Sequence, residues 1–161
     1  MSDTSEGWET EDITLEGIPK NWEGFTRSAK VERLVAVIQG QLQKVRTGTF
    51  NPAKGERVAA LALEGLLELA EYYADAEASA KTAKHMTEYA EGEMAAKYAQ
   101  EANDKAVKIS ETSLKRMSSI SDEVKNTKTR LVDLEKEYKK WRYIYETLRE
   151  AHVFFRNIGK L

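Results

Sequence analysis

The sequence predicts an all-α protein in which long helices form a hairpin or coiled coil behind an extended acidic N-terminal arm. Three observations carry this reading. Apolar residues toward the C-terminus recur at alternating steps of three and four, the rhythm of a packed helical seam. Helix breakers are scarce, with two prolines and nine glycines in 161 residues. Residues 1–25 hold seven acids against one lysine and show neither helical nor strand periodicity.

Residues 1–26 form the arm. Gly17, Pro19 and Gly24 interrupt any helix there, and the acids repel one another. Trp8, Trp22 and Phe25, with Ile13, Leu15 and Ile18, are too many apolar residues for an idle tail. The arm is therefore expected to dock its aromatics on a helical surface, its own or a neighbour's.

Residues 27–116 read as a helical region. A first helix is expected over 28–46, with Val31, Leu34, Val35, Ile38, Leu42 and Val45 on one stripe and Gly48 as its left-handed stop. Asn51-Pro52 then opens an alanine-rich helix expected over 52–110, a capping residue followed by proline at the first helical position. Its stripe is Ala59, Ala62, Leu66, Leu69, Tyr73, Ala76, Ala80, Ala83, Ala90 and Met94, which Leu63, Leu67 and Ala70 widen. Alanine permits close approach but buries little area, so this seam contributes less per turn than a leucine one. The hydroxyl cluster from Ser110 to Ser121 admits a stutter or a break, and a short break capped by Ser119 or Ser121 ahead of Asp122 and Glu123 is favoured.

Residues 117–161 form the C-terminal coiled-coil helix. Val124, Leu131, Leu134, Tyr138, Trp141, Tyr145, Leu148 and Phe155 are its expected oligomer interface. In a parallel, in-register pair the flanking residues Glu123–Lys128, Arg130–Glu135 and Glu137–Arg142 would match in sign. Such pairs select orientation and supply little affinity. Beyond Arg142 the flank turns apolar at Ile144, Ala151 and Ile158, a stripe broad enough for several subunits or for packing on the first helix. A parallel homo-oligomer of more than two subunits is expected.

Function is less legible. With no cysteine there is neither a disulfide framework nor a thiolate metal site. No apolar run approaches the ~18 residues of a membrane span, and the acidic N-terminus does not resemble a secretory signal. A cytoplasmic location is expected, or the virion or host cytoplasm if the chain is phage-encoded. His85 with Glu88 reads as a surface pair and His152 as a core or interface residue. No phosphate loop or nucleophile elbow occurs, so neither an enzyme nor a cofactor is expected.

Residues 104–161 carry fourteen bases and nine acids. There Lys139, Lys140, Arg142, Arg149 and Arg156 interleave with aromatics, the mixture used by sequence-tolerant single-strand binders. Tyr143 lies off the seam and is the candidate for stacking on a base. Tyr72-Tyr73 and the stretch from Tyr138 to Arg156, within residues 60–161, resemble the UvsY-type bacteriophage recombination mediators. That resemblance implies a ring-like oligomer that binds single-stranded DNA and helps load a recombinase. Two functions follow: a structural or adaptor protein organising a larger assembly with other proteins, and, as the alternative, a recombination accessory that binds single-stranded DNA.

Overall fold

The computed structural model describes residues 15–160. They form four α-helices and, among the described residues, no strand: α1 Arg27–Arg46, α2 Gly55–Asp104, α3 Glu111–Ser119 and α4 Asp122–Ile158. The protein is all-α. Of the arm, residues 1–14 lie outside the described part, and with them Trp8.

Local chemistry sets most helix ends. Thr26 caps α1 by accepting from the Ala29 amide at 3.1 Å. Lys44 and Arg46 in its last turn oppose the dipole's negative end. Gly48, at φ +71°, turns the chain away. Asn51 accepts from the Ala53 amide at 3.0 Å and opens a short 3-10 turn, Pro52–Lys54, that leads into α2.

The alanine-rich helix expected to reach residue 110 ends instead at Asp104. Ala106 adopts φ 53°, and the Val107 amide returns to the Ala102 carbonyl at 2.8 Å. An alanine in the left-handed region costs roughly 1–2 kcal/mol and leaves no mark in the sequence, where glycine or proline would be the usual sign. Ser110 then caps α3 by accepting from the Ser113 amide at 3.2 Å. The second interruption is the favoured break rather than a stutter. The Ser121 hydroxyl donates to the Ser118 carbonyl at 2.7 Å, Ile120 is left 61% exposed, and Asp122 and Glu123 start α4. Met117 therefore belongs to α3 and not to the C-terminal helix.

By contacts the described residues form two compact units, 15–69 with 144–160, and Ala70–Tyr143. In the first, α1 packs with parts of α2 and α4, and Val31, Leu34, Ile38, Val58, Leu61, Leu69, Leu148 and Phe155 are fully buried. Here α4 runs antiparallel to α2. Gly55 abuts Gly159, the Ala59 carbonyl accepts from His152 Nδ1 at 2.9 Å, and Gly65 faces Leu148. A carbonyl can only accept, so His152 carries its proton on Nδ1. A Cβ at Gly65 would lie 2.9 Å from Leu148 and 3.6 Å from Leu34, so one side chain from α1 and one from α4 meet over that glycine. Glycine inside a helix costs about 1 kcal/mol against alanine, and close helix contact is what it permits here.

Lys30 ties α1 to α2. Its ammonium lies 2.7 Å from Glu64 and 3.1 Å from Glu68. Burial works against its charge, but hydrogen bonds to the two carboxylates outweigh it and raise the pKa above the ordinary 10.5. A raised lysine pKa stabilises the fold at neutral pH, and that contribution is lost as pH climbs through the folded value. Lys30→Met is therefore expected to lower the urea midpoint at pH 7, with the deficit shrinking above pH 10.5. A deficit unchanged at high pH would show that packing, not charge, is responsible.

In the second unit α2 carries Ala76, Ala80, Ala83, Thr87 and Met94 inward against α4. Tyr72 stacks on Trp141 at 5.3 Å, Tyr73 meets Tyr138 at 5.8 Å, and Lys128 pairs with Glu91 at 2.8 Å. The hydrogen bond between Tyr73 and Tyr138 holds the Tyr73 phenol above its usual value. Small side chains dominate this core, and Val124 is its one side chain among the largest that are fully buried.

Candidate functional site

The row assigned to contacts between copies lies within the chain. Val124, Trp141, Leu148 and Phe155 are buried, and Leu131, Leu134, Tyr138 and Tyr145 are half-buried. Trp141 and Tyr138 meet Tyr72 and Tyr73 in the second unit, and Phe155 and Leu148 meet Phe50 and Gly65 in the first. The spacing of Trp141, Leu148 and Phe155 is thus accounted for by packing within the chain. The three/four rhythm marks a face that must be covered, and an antiparallel α2 covers it as well as a parallel copy would. The apolar flank resolves in the same way, because Ile144 and Ala151 are buried in the first unit.

Of the nucleic-acid candidates, Lys139, Arg142, Arg149 and Arg156 are exposed, and Tyr143 is 64% exposed. Lys140 is exposed as well, with its ammonium 4.9 Å from the Trp141 ring centroid. Trp141 is not free to stack on a base. Its ring is held against Tyr72, and its indole N–H donates to Glu137 at 2.7 Å. The arginine file is divided, since Arg142 belongs to the second unit and Arg149 and Arg156 to the first. Beside Arg149 the exposed surface of α4 presents Glu146 and Glu150, so its field is mixed in sign.

Residues 15–26 belong to the first unit. Leu15 is buried, and Gly17 at φ +91° sets its backbone against Val37. Trp22 meets Phe25 edge-on at 5.3 Å, and Lys30 stands 5.3 Å from the Trp22 ring. Phe25 is itself 37% exposed. His85 makes a 3.6 Å contact with Glu88 on an exposed stretch. Among the described residues no three His, Asp or Glu side chains are grouped to hold a metal ion. None of their helices is long and apolar enough to cross a membrane.

A surface feature stands out that the spacing put in the core. Leu63, Leu67 and Ala70, read as widening the buried stripe of α2, point outward. A second rhythm through Ala60, Leu63, Leu67, Ala70 and Ala74 was present in the sequence, displaced around the helix from the buried row.

These features define an all-α protein of paired long helices. Comparison with protein-family models, curated proteins and solved structures finds no match to this chain.

Proposed function

We propose that the chain is a non-enzymatic structural or adaptor protein that works as a homo-oligomer and organises a larger assembly. The observation that carries this is the set of large apolar side chains standing out from the long helices: Leu63, Leu67, Met86, Tyr89, Val132 and Val153. Most of them lie on helices whose opposite faces already hold a core, so they are available to other proteins. Sedimentation equilibrium at micromolar concentration tests the reading. It predicts a mass above the 18.3 kDa of one chain, and a monomer at every concentration would remove the homo-oligomer.

The second reading, a single-stranded-DNA-binding recombination accessory of UvsY type, draws support from Tyr143, exposed on α4 near Lys139 and Arg142. Under it, an oligonucleotide gel shift should weaken steeply with salt, by about 0.7 log units of affinity per log unit of salt for each neutralised phosphate. Tyr143→Ala should weaken it further. No shift at low salt leaves the adaptor reading alone.

A further inference from the structure

We infer that a second copy of this chain packs on the outward face of α2, antiparallel, about an axis between Leu63 and Leu67. The inference rests on the homo-oligomer reading and gives that oligomer its surface. Ala60, Leu63, Leu67, Ala70 and Ala74 follow at steps of three and four, so they form one row along the helix, and every one is exposed. Leu67 is 71% exposed and Leu63 43%. Single exposed leucines are ordinary, but two on adjacent turns within a row of alanines make a coiled-coil seam without its second helix. The inner row of the same helix, Val58, Leu61 and Leu69, is already fully buried. The outer row is surplus to the fold.

The row itself favours a second copy as its occupant. Ala60, Leu63, Leu67 and Ala70 are separated by three, four and three residues, so they read alike in both directions. A two-fold axis between the leucines sets Leu63 of one copy on Leu67 of the other, twice, and Ala60 on Ala70, twice. That is the self-complementarity an isologous interface requires.

The flanking charges agree. Arg57, Glu64 and Glu71, each seven residues apart, run beside the row on one flank. The same axis brings Arg57 opposite Glu71 of the second copy, twice over. Glu64 lies nearest the axis, and Lys30, 2.7 Å away, supplies its counter-charge. In a parallel pair this flank would instead meet Ala59, Leu66 and Tyr73 and find no opposite charge.

The test joins association to stability. Sedimentation equilibrium and thermal unfolding are measured for the full chain and for Leu63→Lys with Leu67→Lys. The double variant is expected to sediment as a single 18.3 kDa chain. Its melting temperature at low concentration should match the native chain's, because neither leucine is part of the monomer's core. Orientation is read with engineered cysteines, since the chain has none of its own. Under mild oxidation a mixture of Leu63→Cys and Leu67→Cys chains should give a mixed cross-linked dimer, and Leu63→Cys alone should not. A double variant that keeps the native oligomeric mass overturns this surface and leaves the homo-oligomer reading standing. A native chain that is monomeric throughout overturns both. Efficient self-cross-linking of Leu63→Cys overturns the antiparallel arrangement.

Discussion

Replacing Phe155 with alanine is expected to lower stability by about 3–5 kcal/mol, among the largest effects of any single truncation at the described residues. Phe155 is fully buried and is the largest side chain that is so. It meets Phe50 at 5.2 Å and Phe154 edge-on at 5.2 Å. Removing the ring vacates the junction between the loop that follows α1 and the last turns of α4, and surrounding helices close such a space only in part. Against a typical domain stability of about 5–15 kcal/mol, the loss should be plain in the midpoint of urea unfolding. An effect below ~1 kcal/mol would mean that α4 does not end against Phe50.

The second large effect concerns a methyl group added rather than a ring removed, and its sign decides between two principles. Helix propensity says Gly55→Ala should stabilise, by up to about 1 kcal/mol. Packing says the reverse. A Cβ at Gly55 would stand 2.7 Å from the Gly159 nitrogen and 2.8 Å from the Phe155 carbonyl oxygen, and both are backbone atoms that no rotamer change can move. Overpacking of that kind typically costs about 1–3 kcal/mol. Gly159→Ala should behave alike, because its Cβ would lie 2.8 Å from the Glu56 nitrogen. Thermal melts of both variants check this, and a melting temperature above the native one would show that the ends of α2 and α4 are not in contact.

Much of the fold was legible because its signals are local. Thr47-Gly48, Asn51-Pro52 and the serines before Asp122 act on neighbouring backbone, so residue types alone placed these ends within a residue or two. The buried stripe of α2, from Ala59 to Met94, followed from spacing for the same reason. Periodicity reports which face is covered but not what covers it. Val124, Trp141 and Leu148 read identically as a seam between copies and as a seam within a chain, and three matched charge pairs were too weak to decide. Leu63 and Leu67 failed differently, since two adjacent apolar rows on one helix merge into one broad stripe when only residue types are seen. The break at Ala106 was invisible because alanine is the best of helix formers. No sequence pattern marked the Gly55–Gly159 contact, which joins residues from opposite ends of the chain.

The claim on which the rest depends is that α4 folds back along α2 of its own chain. A Glu91→Cys, Lys128→Cys double variant tests it most directly, because those side chains pair at 2.8 Å and the chain holds no other cysteine. Treated at low concentration with a flexible bis-maleimide, which spans the gap that the long lysine and glutamate side chains now fill, the variant is predicted to be bridged internally and to keep the mass of one chain. A ladder of cross-linked dimers with no internal bridge, or two unbridged thiols, would contradict the account.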